Sequence, residues 1–529
     1  MVDISGPLPT WVVVEASIVL FAGLLAGCPT TEPAPPGPPG PPEFPAPGAF
    51  SLRGPGAPAQ TFTEGQLWEH CAYLLGGEND AEHHNLVVQH DGYLVMPWAP
   101  EDGGGGVTFF SFDDPCNPVK VGETYAEGMR ESHSLGFGVV NGREYMAVDY
   151  HGGSVGNDDD SASEDAEVAG GVGFFDVTDP TNPFWVSELD LPGYHYPDSY
   201  TRLTLSVFWQ GRYVYVSGAA NGIYIVDVAD PENPVLAGQY TFTPGMLVGS
   251  FHVFGNVGMA SGAGTIRTAM MDVSDPLDPQ PIPGGDFNVF DGEGRPTAYY
   301  FANLGGNYGL FARNDDGGGP IVFDLRDPGR PRLAGDAYTP DGDGGYVSLH
   351  ENFVFIGDSN FGSVWDFTEE RDAVEVGRIH LQGDFDTLVP IGNIAVASVD
   401  DAGAPGQATA VVPWAIAPDA RPPQVGLHSP TDGQTFAALT SRIGFVFDEQ
   451  VEVRSAHAGS VRVWSTDGVA VEGTFHVQEN ILNFAPTSPL EPDTTYVVEL
   501  PAGGVTDLSG NPMAENWSLR FSTGATVER

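Results

Sequence analysis

Residues 221–240 read NGIYIVDVADPENPVLAGQY: an alternating apolar run, an Asp at its end, two Pro three residues apart, then a second short run. Val, Ile and Tyr in strict alternation suit a strand buried on both faces. The Asp can accept backbone N–H groups and start a turn, and Pro fixes φ and cannot extend a ladder. The unit therefore reads as a buried strand, a sharp reversal and a short outer strand.

The same unit recurs as SFDDPCNPVKVGE (111–123), FFDVTDPTNPFWVSE (174–188), MMDVSDPLDPQPIPG (270–284) and VFDLRDPGRPRLAGD (322–336). Its Asp and leading Pro fall at Asp176 and Pro180, Asp227 and Pro231, Asp272 and Pro276, and Asp324 and Pro328. With Pro115, the leading prolines are spaced by 65, 51, 45 and 52 residues. Two weaker copies follow, VWDFTEERDAVEVGRIHL (364–381), which keeps Asp366, and AVVPWAIAPDARPP (410–423). Seven units of this length suit blades of four antiparallel strands, each too small to hide its own apolar faces and each covered by its neighbours in a ring. The expected fold is all-β: a seven-bladed β-propeller over 61–423, followed by an Ig-like β-sandwich. Residues 60–74 either donate a strand to the last blade or pack across one face as a cap.

This unit resembles the LVIVD repeat, on Val226-Asp227 with Asp230-Pro231 and Pro234 and on the equivalent Asp176, Asp272 and Asp324. The resemblance implies an exported propeller and supplies no catalytic motif. From 424 to 526 the rhythm changes to six or seven short strands with Gly, Pro and Asp turns. That segment resembles a bacterial Ig-like domain, on Phe445, Phe447 and Asp448, on the run from Leu490 to Tyr496, and on Asp507 with Gly510-Asn511-Pro512. The resemblance implies a spacer or adhesive module, with Tyr496 packing its ring at the sandwich edge and its hydroxyl on a backbone partner.

Ahead of the ring, residues 1–27 read as a leader. Leu25-Ala26-Gly27-Cys28 follows the apolar run ASIVLFAG and resembles the lipobox of bacterial lipoproteins, although no Lys or Arg precedes it. The resemblance implies cleavage before Cys28 and acylation there, and hence a lipid-anchored protein of the cell envelope, at the outer membrane or cell surface. Residues 28–60 are rich in Pro and form a stiff linker. Acylation of Cys28 leaves two thiols of the three. In an oxidising compartment Cys71 and Cys116 either pair, pinning the N-terminal segment to the first repeat, or stay as separate buried thiols.

The 529 residues hold 71 Asp and Glu against 20 Lys and Arg, a formal charge of -51. Such a surface repels phosphates, so nucleic acid is excluded as a partner. His84, His133, His252 and His350 occupy related positions in different units and are candidates for metal binding or for lining the channel. Asp158 and Asp159, and Asp341 and Asp343, sit in acidic runs carrying hard oxygen donors for calcium, without EF-hand spacing. The run GYHYPDSY (193–200) places His195 among aromatics that suit a glycan or peptide. No phosphate-binding, dinucleotide, HExxH or GxSxG motif occurs, and no catalytic residue is assigned. The expected work is non-catalytic binding or scaffolding of protein or glycan ligands. The alternative is a metal-dependent hydrolase or lyase with its site in the channel.

Overall fold

The computed structural model describes residues 39–525 apart from 53–58, 78–85, 100–103, 112, 130–131, 152–167, 197–205, 372 and 400–401. Cys28, His84, Asp158 and Asp159 lie outside these residues, as does the side chain of His195. Among the described residues, a compact unit starts at Gly40. Among the described residues no helix is long and apolar enough to cross a membrane.

Among the described residues, nine four-stranded sheets make up the compact unit. Six are meanders of consecutive strands: Val88–Ala126, Gly136–Tyr196, Val207–Tyr240, Val248–Asn288, Tyr299–Asp336 and Val347–Ile379. We number these blades 1 to 6. Blade 7 takes three strands from Phe385–Pro413 and its outer strand, Ala72–Tyr73, from the N-terminal segment. Tyr73 pairs with Ala410 and Ala72 with Val411, so the chain closes its ring by strand donation.

The alternation in IYIVD follows from the ring. Ile223 and Ile225 pack into a cluster shared with blade 4, whereas Tyr224 and Val226 pack into a second cluster shared with blade 2. A strand buried on both faces must be apolar at every position, and period 2 decides only which neighbour each side chain meets. The closing Asp has its own duty. Asp176, Asp227, Asp272, Asp324 and Asp366 each accept, through Oδ1, the N–H two residues on, at 2.8 to 3.0 Å. The Asp before the leading Pro repeats the contact one step later, as with Asp179 and Asp230.

Blades seat against one another through these turns. A methyl added to Gly122 of blade 1 would lie 2.0 Å from the Pro180 carbonyl oxygen, and one on Gly335 of blade 5 would lie 1.7 Å from that of Glu370. The Gly of the outer strand thus makes room for the turn of the next blade. In blade 6 the space over Gly377 is filled by Trp68 of the N-terminal segment. Blades 1 to 6 each carry a register shift between the third and outer strands, for example between Ile225 and Val226 and between Val322 and Phe323. The extra residue lies on the outer strand, and such a bulge bends the strand and increases its twist.

The C-terminal sandwich packs one sheet (Val425–Ser429, Ile443–Phe447, Ile481–Pro486, Gly473–Gln478) on another (Gln434–Ala437, Trp517–Thr523, Thr495–Leu500, Arg462–Ser465). The hydroxyl of Tyr496 accepts the N–H of Glu491 at 2.8 Å, and its ring stacks on Phe521.

Candidate functional site

In each blade the innermost strand turns into the second at one face of the ring, and the sandwich sits on that face. Arg454 pairs with Asp91 of blade 1 at 3.0 Å and with Glu144 of blade 2 at 3.2 Å. Asn483 accepts from Gln210 of blade 3 and from the N–H of Gly255 of blade 4. The Gly306 N–H of blade 5 donates to Phe447 O at 2.7 Å, and the Glu351 N–H of blade 6 to Asp448 O at 2.7 Å. In blade 7, a methyl on Gly392 would meet Ser509 Oγ at 2.3 Å. Every blade therefore touches the sandwich.

One hairpin of the sandwich goes further. Gln478 Nε2 donates to Ser134 Oγ and to Val207 O, at the inner strands of blades 2 and 3. Glu479 accepts from Asn303 Nδ2 of blade 5 at 2.7 Å and from the Tyr346 hydroxyl at the start of blade 6. These blades face one another across the axis, so the hairpin tip occupies the channel. Burial raises the Glu479 carboxyl above its ordinary range, with the two hydrogen bonds opposing. Arg442 of the sandwich is buried against blades 3 and 4, its Nε on Gln210 Oε1 at 2.9 Å, and burial lowers its pKa.

The histidines take separate places. His133 is buried, its ring 5.4 Å from that of Phe301 on the far side of the channel. His252 lies edge-to-face with Phe208, and burial holds it neutral with a pKa near 4. His350 packs on Trp414 at the rim, beneath the sandwich. These three do not converge on one point. Asp341 and Asp343 are exposed on the opposite face, where Asp341 pairs with Arg378 at 3.2 Å. Cys71 and Cys116 are joined in a disulfide between the closing strand of blade 7 and the turn of blade 1.

Among the described residues, a dense ionisable group gathers around His350. His350 Nδ1 lies 3.5 Å from Glu449 Oε2, and its Nε2 lies 4.0 Å from Asp419 Oδ2. Asp419, Glu449 and Asp507 bring one carboxylate oxygen each within 4.8 Å of the others, and His350, Glu351 and Asp419 do the same with one donor each. Asp419 belongs to the connecting segment, Glu449 and Asp507 to the sandwich, and His350 and Glu351 to the turn of blade 6. Burial first, then Asp507, Asp419, Asp448 and Glu351, push the Glu449 carboxyl up to about 11. Burial likewise pushes Asp507 to about 7 and lowers His350 to about 4. Sequence reasoning found His350 but not the carboxylates. Asp448 read as a structural residue of the early sandwich strand and Asp507 as one ahead of the closing strand, and nothing local signals that a residue 99 positions earlier in the chain faces Glu449.

Fold and site together define a seven-bladed β-propeller whose channel is stoppered at one end by an Ig-like sandwich. Residues 202–242, blade 3 with its flanks, match the LVIVD repeat, and residues 419–523 match the bacterial Ig-like domain. The chain thus combines an LVIVD-repeat propeller with a bacterial Ig-like domain. No curated protein matches the sequence. Among solved structures, a protein from Lactobacillus plantarum aligns at 13% identity over 59% of this chain and 96% of its own, with a TM-score of 0.43. The periplasmic gluconolactonase PpgL of Pseudomonas aeruginosa aligns at 12% identity over 62% and 86%, with a TM-score of 0.45. Hydrazine synthase of Kuenenia stuttgartiensis aligns at 11% over 65% and 98%, with a TM-score of 0.41.

Proposed function

We propose that this protein is a non-catalytic binding platform of the cell envelope, lipid-tethered through Cys28, which presents the open face of its propeller to a protein or glycan. The carrying observation is the hairpin of Gln478 and Glu479 in the channel, held from both sides of the ring. A stoppered channel leaves the loops of the opposite face as the accessible part of the ring, and binding residues concentrate on loops positioned by a rigid scaffold. That face includes the loop from Asp291 to Thr297, the loop from Ala337 to Tyr346, and the exposed ring of Tyr338 over Arg313. The lipobox-like Leu25-Ala26-Gly27-Cys28 and the Pro-rich segment after it support the tether.

Photo-crosslinking on intact producing cells tests the reading. A crosslinking residue at Glu293 or Tyr338 should give a defined adduct with a surface protein or polysaccharide. One at Val235, on the outer rim and 60% exposed, should not. Equal yields at all three positions, or none at any, would overturn it.

A further inference from the structure

We propose that Asp419, Glu449 and Asp507 form a site for one divalent cation of the oxygen-seeking class, with calcium its natural probe, and that the ion clamps the sandwich to the ring. The three carboxylates bring oxygens within 4.8 Å of one another. Oxygens that share one Ca²⁺ at about 2.3–2.6 Å are at most about 5 Å apart, so the span fits a single ion.

Acidic clusters are common in so acidic a chain, and proximity alone does not mark a metal site. Glu449 and Asp507 are each 1% exposed. Glu449 Oε1 and Asp419 Oδ2 are buried and accept no hydrogen bond. A buried acceptor left without a donor costs free energy, and a buried unpaired charge costs more. The nearest guanidinium, of Arg421, is engaged with Glu351. Asp507 is held by the backbone N–H and the side-chain amide of Asn511, both at 2.8 Å, which fixes its plane and leaves lone pairs for a metal. One bound cation would neutralise the repulsion and occupy the orphaned oxygens together.

Its ligands would come from the connecting segment and from two loops of the sandwich, with Glu449 backed by His350 of blade 6. The ion would therefore tie the connecting segment to two sandwich stretches that already meet at the Val451–Asp507 bridge. This inference is independent of what the open face binds.

Full-length protein purified without chelator should carry about one divalent cation per chain by elemental analysis. After stripping with chelator, Ca²⁺ titrated calorimetrically should rebind to the wild type and raise its melting midpoint. Glu449→Gln and Asp507→Asn should each weaken Ca²⁺ binding by about tenfold or more, the scale of a lost metal contact. The stripped Glu449→Gln protein should melt close to the stripped wild type, because the amide has the shape of the carboxyl it replaces and takes away only its capacity to ionise onto a metal. That readout shows a folded variant. Asp341→Asn with Asp343→Asn should bind as the wild type does. The proposal is overturned if the wild type holds no ion and gives no Ca²⁺ response. Equal Ca²⁺ responses in the wild type and Glu449→Gln would overturn it too, as would a response confined to Zn²⁺ and abolished by His350→Ala alone.

Discussion

Replacing Cys71 and Cys116 together by Ser opens the staple across the ring junction. At the other seams the turn of one blade rests on the outer strand of the preceding blade. Thr181, which follows Pro180 as Cys116 follows Pro115, has its Cα 2.9 Å from where a methyl on Gly122 would stand. At the junction of blades 7 and 1 that contact is a covalent bond between positions 45 apart. Closing a loop of that length removes chain entropy worth about 4 kcal/mol at 25 °C from the unfolded ensemble. With an unfolding entropy of about 2.1 cal/mol/K per residue, a ring of roughly 360 residues should lose about 5 °C in melting midpoint. The assay is reversible urea unfolding of the oxidised wild type and the double Ser variant, with the wild type under reductant as a third arm. The reduced wild type and the variant should coincide, both about 4 kcal/mol below the oxidised protein. A difference below about 1 kcal/mol would refute the reasoning, since hydrogen bonding of Cys71 N–H to Val411 O would then close the ring unaided.

Two further outcomes follow from the seams and the buried acids. Asp358 is buried, accepts from Ser363, Gly319 and Thr339, and has its carboxyl pushed up to about 6 by burial. Its folded pKa exceeds its unfolded one, so the native state binds more protons between about pH 4 and 6 and stability falls as pH rises through that window. Asp358→Asn should flatten that slope by up to about 3 kcal/mol, read as the difference between the two proteins' unfolding free energies at pH 4 and pH 7. Equal slopes would show that the group is not held protonated. Gly335→Ala forces a methyl onto the Glu370 carbonyl and should cost about 1–3 kcal/mol. Gly245→Ala, with open space around it, should cost little, and chemical denaturation of both separates a seam effect from a general loss of glycine.

The ring was legible because its unit repeats. One strand such as IYIVD is ambiguous, but five copies with the same Asp and Pro fix the blade. The capping hydrogen bonds of Asp176, Asp227, Asp272 and Asp324 follow directly from residue chemistry. The seventh unit was harder to read. Thr409–Pro413 supplies its third strand, and the Trp414–Pro423 stretch is connection rather than outer strand, because two residues from the far end of the chain take that place. Residues 60–74 stood open between a donated strand and a cap, and the structure takes the strand; a pairing of two residues, Ala72–Tyr73, is too short for periodicity to decide between them. The outer-strand bulges were hidden, since nothing in a run such as Val235–Tyr240 marks which residue is the extra one.

The site was legible only in fragments. His350 could be picked out as a chemically capable side chain, but its surroundings are set by how the sandwich docks. Docking depends on seven turns whose sequences (Asp91-Gly92, Gly255-Asn256, Gly306-Asn307 and their equivalents) look like ordinary hairpin loops. Positive φ at Asp91 and Gly255 is all those residues declare locally. Glu479 is the clearest case: in sequence it is a turn residue between two strands, and in the fold it sits at the axis of another domain.

The staple also decides how the molecule carries a load. A pull applied to the chain ahead of residue 60 travels along the N-terminal segment as far as Cys71 and leaves it through the sulfurs into Cys116. The stretch between them, with the closing strand and three strands of blade 1, lies off the line of tension. Under strain at that end, the load falls on the backbone bonds of Phe62, Trp68 and Cys71 to blade 7 and then on the bridge, while the two-residue strand Ala72–Tyr73 is sheltered behind it.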